Sequence, residues 1–101
     1  MRTINIFLTD PIVGELPDFE NGEMRYAFAR LYSDGPRRLV EGPVCAFVDW
    51  VMEDLSGLEM CRRLRGDPRL DEAHITIVLE QDDADDKRRA LRAGADDYLA
   101  G

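Results

Sequence analysis

The stretch that decides the fold runs Val44-Cys45-Ala46-Phe47-Val48-Asp49-Trp50-Val51-Met52-Glu53-Asp54-Leu55-Ser56-Gly57-Leu58-Glu59-Met60-Cys61-Arg62-Arg63-Leu64-Arg65. Its opening five residues are a near-continuous apolar run of strand length that ends on an acid. A strand buried on both faces reads this way, and such strands belong to parallel sheets. Ser56 with Glu59 three residues on predicts a capping box, the hydroxyl taking an amide of the first turn while the carboxylate reaches back to the cap. Leu58, Cys61 and Leu64 recur at helical spacing, and Gly66 followed by Pro68 supplies the stop.

Two more apolar runs share that design. Ile4-Asn5-Ile6-Phe7-Leu8 leads into Thr9-Asp10, and Ile75-Thr76-Ile77-Val78-Leu79 leads into Glu80-Gln81. A second helix is expected from Asp82 or Asp83 to Gly94, acidic in its first turn and basic in its body, as the helix dipole favours. Tyr98-Leu99-Ala100 reads as one more short strand. Between Pro11 and Gly42 the glycines and prolines break any long helix after the first strand. There Met24, Ala27, Phe28 and Leu31 fit a helix, whereas Tyr26, Phe28 and Tyr32 fit a strand, and periodicity does not separate the two.

Strand and helix in alternation predict right-handed crossovers and a three-layer α/β sandwich over a single domain, residues 1–101. Sites in such sheets form beyond the carboxyl ends of the strands, where the chain places Asp10, Asp49 and Glu80. Two carboxylates about 4 Å apart repel by about 4 kcal/mol at an effective dielectric near 20. A divalent cation such as magnesium or a raised carboxyl pKa would relieve the repulsion. The plainer alternative is that the acids merely end their strands and face solvent.

Composition sets the outer limits. The 101 residues are 45% hydrophobic and 34% charged, and 21 acidic against 13 basic side chains leave a net charge of −8. Too many aliphatics are present for an acidic disordered segment, and no run reaches the roughly 20 apolar residues of a membrane span. The negative balance argues against direct nucleic-acid binding, which needs a basic face. Arg62-Arg63-Leu64-Arg65 and Lys87-Arg88-Arg89 read as solvated helix faces, since acids flank both. Cys45 and Cys61 read as buried free thiols, and His74 is alone, without zinc-site partners. The expectation is a cytoplasmic protein with no membrane association.

The segment from Val48 to Arg65 resembles the phosphoacceptor region of response-regulator receiver domains. In those proteins an aspartate is followed by Met-Pro, a glycine and an amphipathic helix. Asp67-Pro68, the strand from Ile75 to Leu79, and Gly94-Ala95-Asp96-Asp97-Tyr98-Leu99 continue the match, so the likeness is strong over the second half of the chain and poor over the first. The resemblance implies a flavodoxin-like, five-stranded parallel sheet and phosphoryl transfer from a histidine kinase or a phosphotransfer protein. By position, Asp49 is the acceptor. Asp10, Asp49 and the backbone carbonyl of Val51 are the implied Mg2+ ligands, and Glu80, Gln81 and Tyr98 take the switch positions. Ser33-Asp34-Gly35 matches a family turn, which implies a strand from Tyr26 to Tyr32, a stunted helix from Pro36 to Val40 and an eroded first helix.

The departures shape the expected function. Family members place two adjacent acids after the first strand, where this chain has Leu8, Thr9 and Asp10. The serine or threonine that contacts the phosphoryl group is replaced by Glu80 or Gln81. Met52-Glu53 stands for Met-Pro, and the family's lysine falls at Gly101, with no final helix after it. These changes predict a degenerate receiver, truncated at its C-terminus, that binds Mg2+ weakly and acts through a partner, an attached output domain or a homodimer rather than as an enzyme. A conventional phospho-accepting receiver is the alternative. A magnesium-dependent phosphohydrolase is the lesser one, because Val51 holds the position where that class wants a second acid.

Overall fold

A computed structural model describes residues 2–9, 18–35, 37 and 41–100. In chain order the elements are β1 (Arg2–Leu8), β2 (Phe19–Asn21), β3 (Met24–Arg30), β4 (Val44–Asp49), α1 (Gly57–Arg65), a short 3-10 turn (Pro68–Leu70), β5 (His74–Leu79), α2 (Ala84–Arg92) and β6 (Asp97–Ala100). The strands form one sheet in the order β2-β3-β1-β4-β5-β6. All neighbours run parallel except β2, which pairs antiparallel with β3.

The expected parallel α/β sheet is therefore present, with two corrections. It has six strands rather than five, and the extra one, β2, forms a hairpin with β3 through Gly22, whose φ of 62° suits a tight turn. The strand expected from Tyr26 to Tyr32 is Met24–Arg30. Tyr32 instead makes an isolated bridge to Gly35 across the Ser33-Asp34 turn. Pro36 and residues 38–40, where the stunted helix was placed, lie outside the described residues. The two α-helices touch each other, α1 packing against β4 and β5 and α2 against β5 and β6, so among the described residues one face of the sheet carries the helical layer.

Packing follows from the apolar alternation. Phe7 stands opposite Ala46, Ala46 opposite Ile75 and Val48 opposite Ile77, a row of buried side chains crossing β1, β4 and β5. Gly57, Met60, Cys61 and Leu64 are the buried stripe of α1. Each large side chain fully removed from water there stabilises by about 1.5–3 kcal/mol. Cys61 is wholly buried, and that burial pushes its thiol pKa up to about 11, so it stays protonated. Cys45, expected to be buried, is only partly so; both cysteines are free.

Helix ends follow the local chemistry. Ser56 caps α1 by accepting the Glu59 amide at 3.2 Å, worth about 1 kcal/mol. The reciprocal arm of the expected box is not made, because the Glu59 carboxylate turns to Arg62 and Arg63, 3.4 and 3.7 Å away. Asp83 caps α2 by accepting the amides of Asp85 and Asp86. At the other end of the sheet, the buried Asn5 amide donates to the Glu41 carbonyl at 2.7 Å and fixes the turn that feeds β4.

Candidate functional site

The chain crosses from one half of the sheet to the other beside β1: β3 lies on one side of it and β4 on the other. Open parallel sheets bind ligands at the carboxyl ends of the strands flanking such a reversal. Here those ends carry Thr9 after β1, Asp49 at the end of β4 and Glu80 after β5. Asp10, the residue expected to join them, lies outside the described residues.

Asp49 is half-buried and held from two sides. Its backbone amide donates to the Thr9 hydroxyl at 2.8 Å, while the Thr9 amide reaches the Phe47 carbonyl at 3.2 Å and its hydroxyl lies 3.4 Å from the same oxygen. Thr9 is 7% exposed, so its hydroxyl serves as an internal clamp between β1 and β4. From the other side, Gly57 packs so closely that a Cβ there would lie 2.1 Å from the Asp49 carbonyl oxygen. Beyond Asp49, Gly57 donates to the Trp50 carbonyl at 2.8 Å and Met52 to the Leu55 carbonyl at 3.1 Å. These bonds form the Val51–Ser56 bridge without using the Val51 carbonyl. Val51 is 63% exposed and lines an open depression with Trp50, Met52, Glu53, Asp54 and Leu58.

The remaining expected residues are arranged around this centre. Asp49 pairs with Val78, which puts Glu80 two residues further along the strand direction, exposed and past the buried Leu79. Gln81 is exposed beside it. Tyr98 pairs with Ile77, two strands from Asp49, or about 10 Å across the sheet. Its ring is half-buried against the core, and the Lys87 ammonium lies 5.1 Å from the ring centroid. Lys87 also forms an ion pair with Asp82, and that bond raises its pKa above the ordinary lysine value. Among the described residues, no group of three His, Cys, Asp or Glu side chains is placed to hold a metal. Acidic side chains near Val51 are Glu53 and Asp54, which line the same depression. Sequence reasoning missed the roles of Thr9 and Lys87; a hydroxyl directly after the first apolar run was the available signal for the former.

Removing the Thr9 hydroxyl tests the clamp. Thr9→Val keeps the shape but leaves the Asp49 amide without its acceptor, which costs about 1–3 kcal/mol for a buried donor. Urea unfolding followed by the fluorescence of Trp50 should show the midpoint fall accordingly; an unchanged midpoint would show that the hydroxyl holds nothing.

The fold is that of the response-regulator signalling class. The family model described as response regulator receiver domain matches residues 36–100, and the chain belongs to that family. It is 35% identical over 57 residues to the phosphate regulon transcriptional regulatory protein PhoB of Rhizobium meliloti, covering 56% of this chain and 25% of that protein. It is 38% identical over 73 residues to the response regulator MprA of Mycobacterium tuberculosis, covering 72% of this chain and 28% of that protein. The chain spans about a quarter of the length of these relatives. In structure it is similar to the receiver domain of the sensor histidine kinase PA1611 of Pseudomonas aeruginosa, solved with a magnesium ion coordinated in its active-site cleft. That match has a TM-score of 0.60 and 16% identity, and covers 98% of this chain and 84% of the other. No helix among the described residues is long and apolar enough to cross a membrane.

Proposed function

We propose that the chain is a signalling receiver domain with Asp49 at the phosphoacceptor position of an incomplete phosphorylation site, and that it acts mainly by associating with a partner or a second copy. The observation that carries this reading is Thr9. Where the family places two adjacent acids after its first strand, this chain has Leu8, Thr9 and Asp10, so one acid at most is available, and the buried Thr9 hydroxyl is spent on the Asp49 amide. The carboxylates available to neutralise a cation are correspondingly fewer. Glu80, exposed after β5, adds a negative charge at the same edge instead of a hydroxyl.

Nucleophilic attack by a carboxylate on a phosphoryl group needs an ionised acid and compensation for the charge on the transferring group. Magnesium, when bound, supplies that compensation, and Asp10, Asp49 and the Val51 carbonyl are the residues that would hold it. A carboxylate and a backbone carbonyl fit a hard cation in type, and one acid in place of the family's adjacent pair is in keeping with weak binding. On this reading the domain is not an enzyme in its own right. Its partners are a histidine kinase, a phosphotransfer protein or an attached output domain, and Glu80, Gln81 and Tyr98 form the responsive edge.

Trp50 is the only tryptophan in the chain and directly follows Asp49, so its fluorescence reports on the site. Magnesium titration should produce a response only in the millimolar range, and Asp49→Asn should abolish it. Tight, saturable binding lost in Asp49→Asn would instead favour the conventional phospho-accepting receiver.

A further inference from the structure

Of the 13 basic residues in the chain, Lys87 is the sole lysine. It does not sit on the solvated face expected for the Lys87-Arg88-Arg89 cluster: its side chain is 28% exposed, against 64% for both Arg88 and Arg89. Lys87 lies on the second turn of α2, where its ammonium meets two groups from different elements. One is the Asp82 carboxylate, in the segment that links β5 to α2; the other is the ring of Tyr98 in β6. A compact ammonium on a flexible stem can serve both, combining an ion pair with a cation–π contact. The register places Tyr98 beside Ile77 on the helix-facing side of the sheet, so its ring lies between the core and α2.

We propose that Lys87 is a positioning residue of the signalling edge, tying the β5–α2 loop to the Tyr98 ring so that Glu80, Gln81 and Tyr98 hold one arrangement together. The proposal rests on reading those three residues as the responsive edge of the site. It adds a physical link between them that neither the apolar pattern nor the motif spacing contains. Displacing the loop breaks the Asp82 pair, and displacing the ring removes the cation's second contact, so neither moves alone without loss.

The single lysine makes the link directly readable. Protein grown with lysine carrying carbon-13 at the ε position gives one Lys87 signal, displaced upfield by the Tyr98 ring current. Tyr98→Leu should return that signal to the free-lysine position, and Asp82→Asn should shift it as well. In the reverse direction, Lys87→Met keeps the apolar stem and removes the charge. It should move the Tyr98 ring signals and the amides of Glu80 to Asp82 while the rest of the amide spectrum stays in place, and Lys87→Arg should restore them in part. A Lys87 signal at the free-lysine position that ignores Tyr98→Leu would overturn the link, as would Lys87→Met without effect on Tyr98 or the loop amides. No phosphodonor enters these measurements, so their outcome is separate from whether Asp49 is modified.

Discussion

Gly57→Ala should destabilise the protein by about 3 kcal/mol and displace Asp49, although helix propensity alone predicts the reverse. Gly57 opens α1, and alanine in a helix is ordinarily favoured over glycine by about 1 kcal/mol. Its φ is not in the left-handed region, so backbone strain is no obstacle. The obstacle is space. An added Cβ would lie 2.1 Å from the Asp49 carbonyl oxygen, 3.0 Å from its carbonyl carbon and 3.1 Å from the Trp50 Cα. All three are backbone atoms, so no side chain can swing aside. Either the helix start or the end of β4 must retreat by roughly 1 Å, and overpacking of this kind costs about 1–3 kcal/mol, sometimes more. Thermal unfolding should fall by roughly 10–20 °C at this domain size, with the amides of Trp50 and Val51 shifting most. An alanine variant as stable as the parent would mean that the close approach of helix and strand end is not real.

Arg65→Met should cost about 2–3 kcal/mol, from the opposite end of the sheet. The Arg65 guanidinium makes five hydrogen bonds: two to the Gly94 carbonyl, one each to the Asp71 and Ala73 carbonyls, and one to the Asp96 carboxylate at 2.7 Å. It thereby joins the end of α1, the turn before β5 and the turn before β6. Hydrogen bonds to a charged group contribute about 1.5–3 kcal/mol each, but Arg65 is 29% and Asp96 42% exposed, so water recovers much of that when the fork is removed. Lysine should rescue poorly, since a point charge cannot serve three carbonyls on two separate turns.

The same lock has a pH signature. Burial opposes the charge on Asp96, yet the Ile75 amide at 2.8 Å, the Arg65 guanidinium and the charge of His74 outweigh it and hold the carboxyl below the ordinary aspartate value. A depressed native pKa means that this stabilisation is complete above the unfolded value, near pH 4. It is lost as the pH falls through the lower native value. Chemical denaturation from pH 6 down to pH 2 should therefore show a loss of stability below about pH 4 that is smaller in Arg65→Met than in the parent. Parallel curves would show that Asp96 owes nothing to Arg65.

Much of the fold could be read from local pattern. Ile75 to Leu79 and Val44 to Val48 are apolar on nearly every residue, as central strands of a parallel sheet are, and the structure extends them only to His74 and Asp49. The helices were as legible, since Ser56 and Asp83 carry the side-chain acceptors that begin them. Phe19-Glu20-Asn21 was not: three exposed residues give no periodicity, and β2 exists because the edge of β3 offers unpaired backbone groups. In the site, the acid at a strand end pointed to Asp49, but the grip on it could not be read. The Gly57 approach depends on the path of the chain in space, and the Thr9 clamp depends on β1 and β4 becoming neighbours across 40 residues of sequence. Lys87 looked like its arginine neighbours because its contacts are to a loop and a strand outside its own helix.

The proposed receiver domain with Asp49 at the phosphoacceptor position of an incomplete site is tested most directly by phosphodonor labelling. Protein incubated with a small-molecule phosphodonor and magnesium, then weighed intact by mass spectrometry, should show at most a minor fraction carrying one phosphoryl group, with none in Asp49→Asn. Stable, stoichiometric modification that disappears in Asp49→Asn would contradict the account and establish a conventional phospho-accepting receiver.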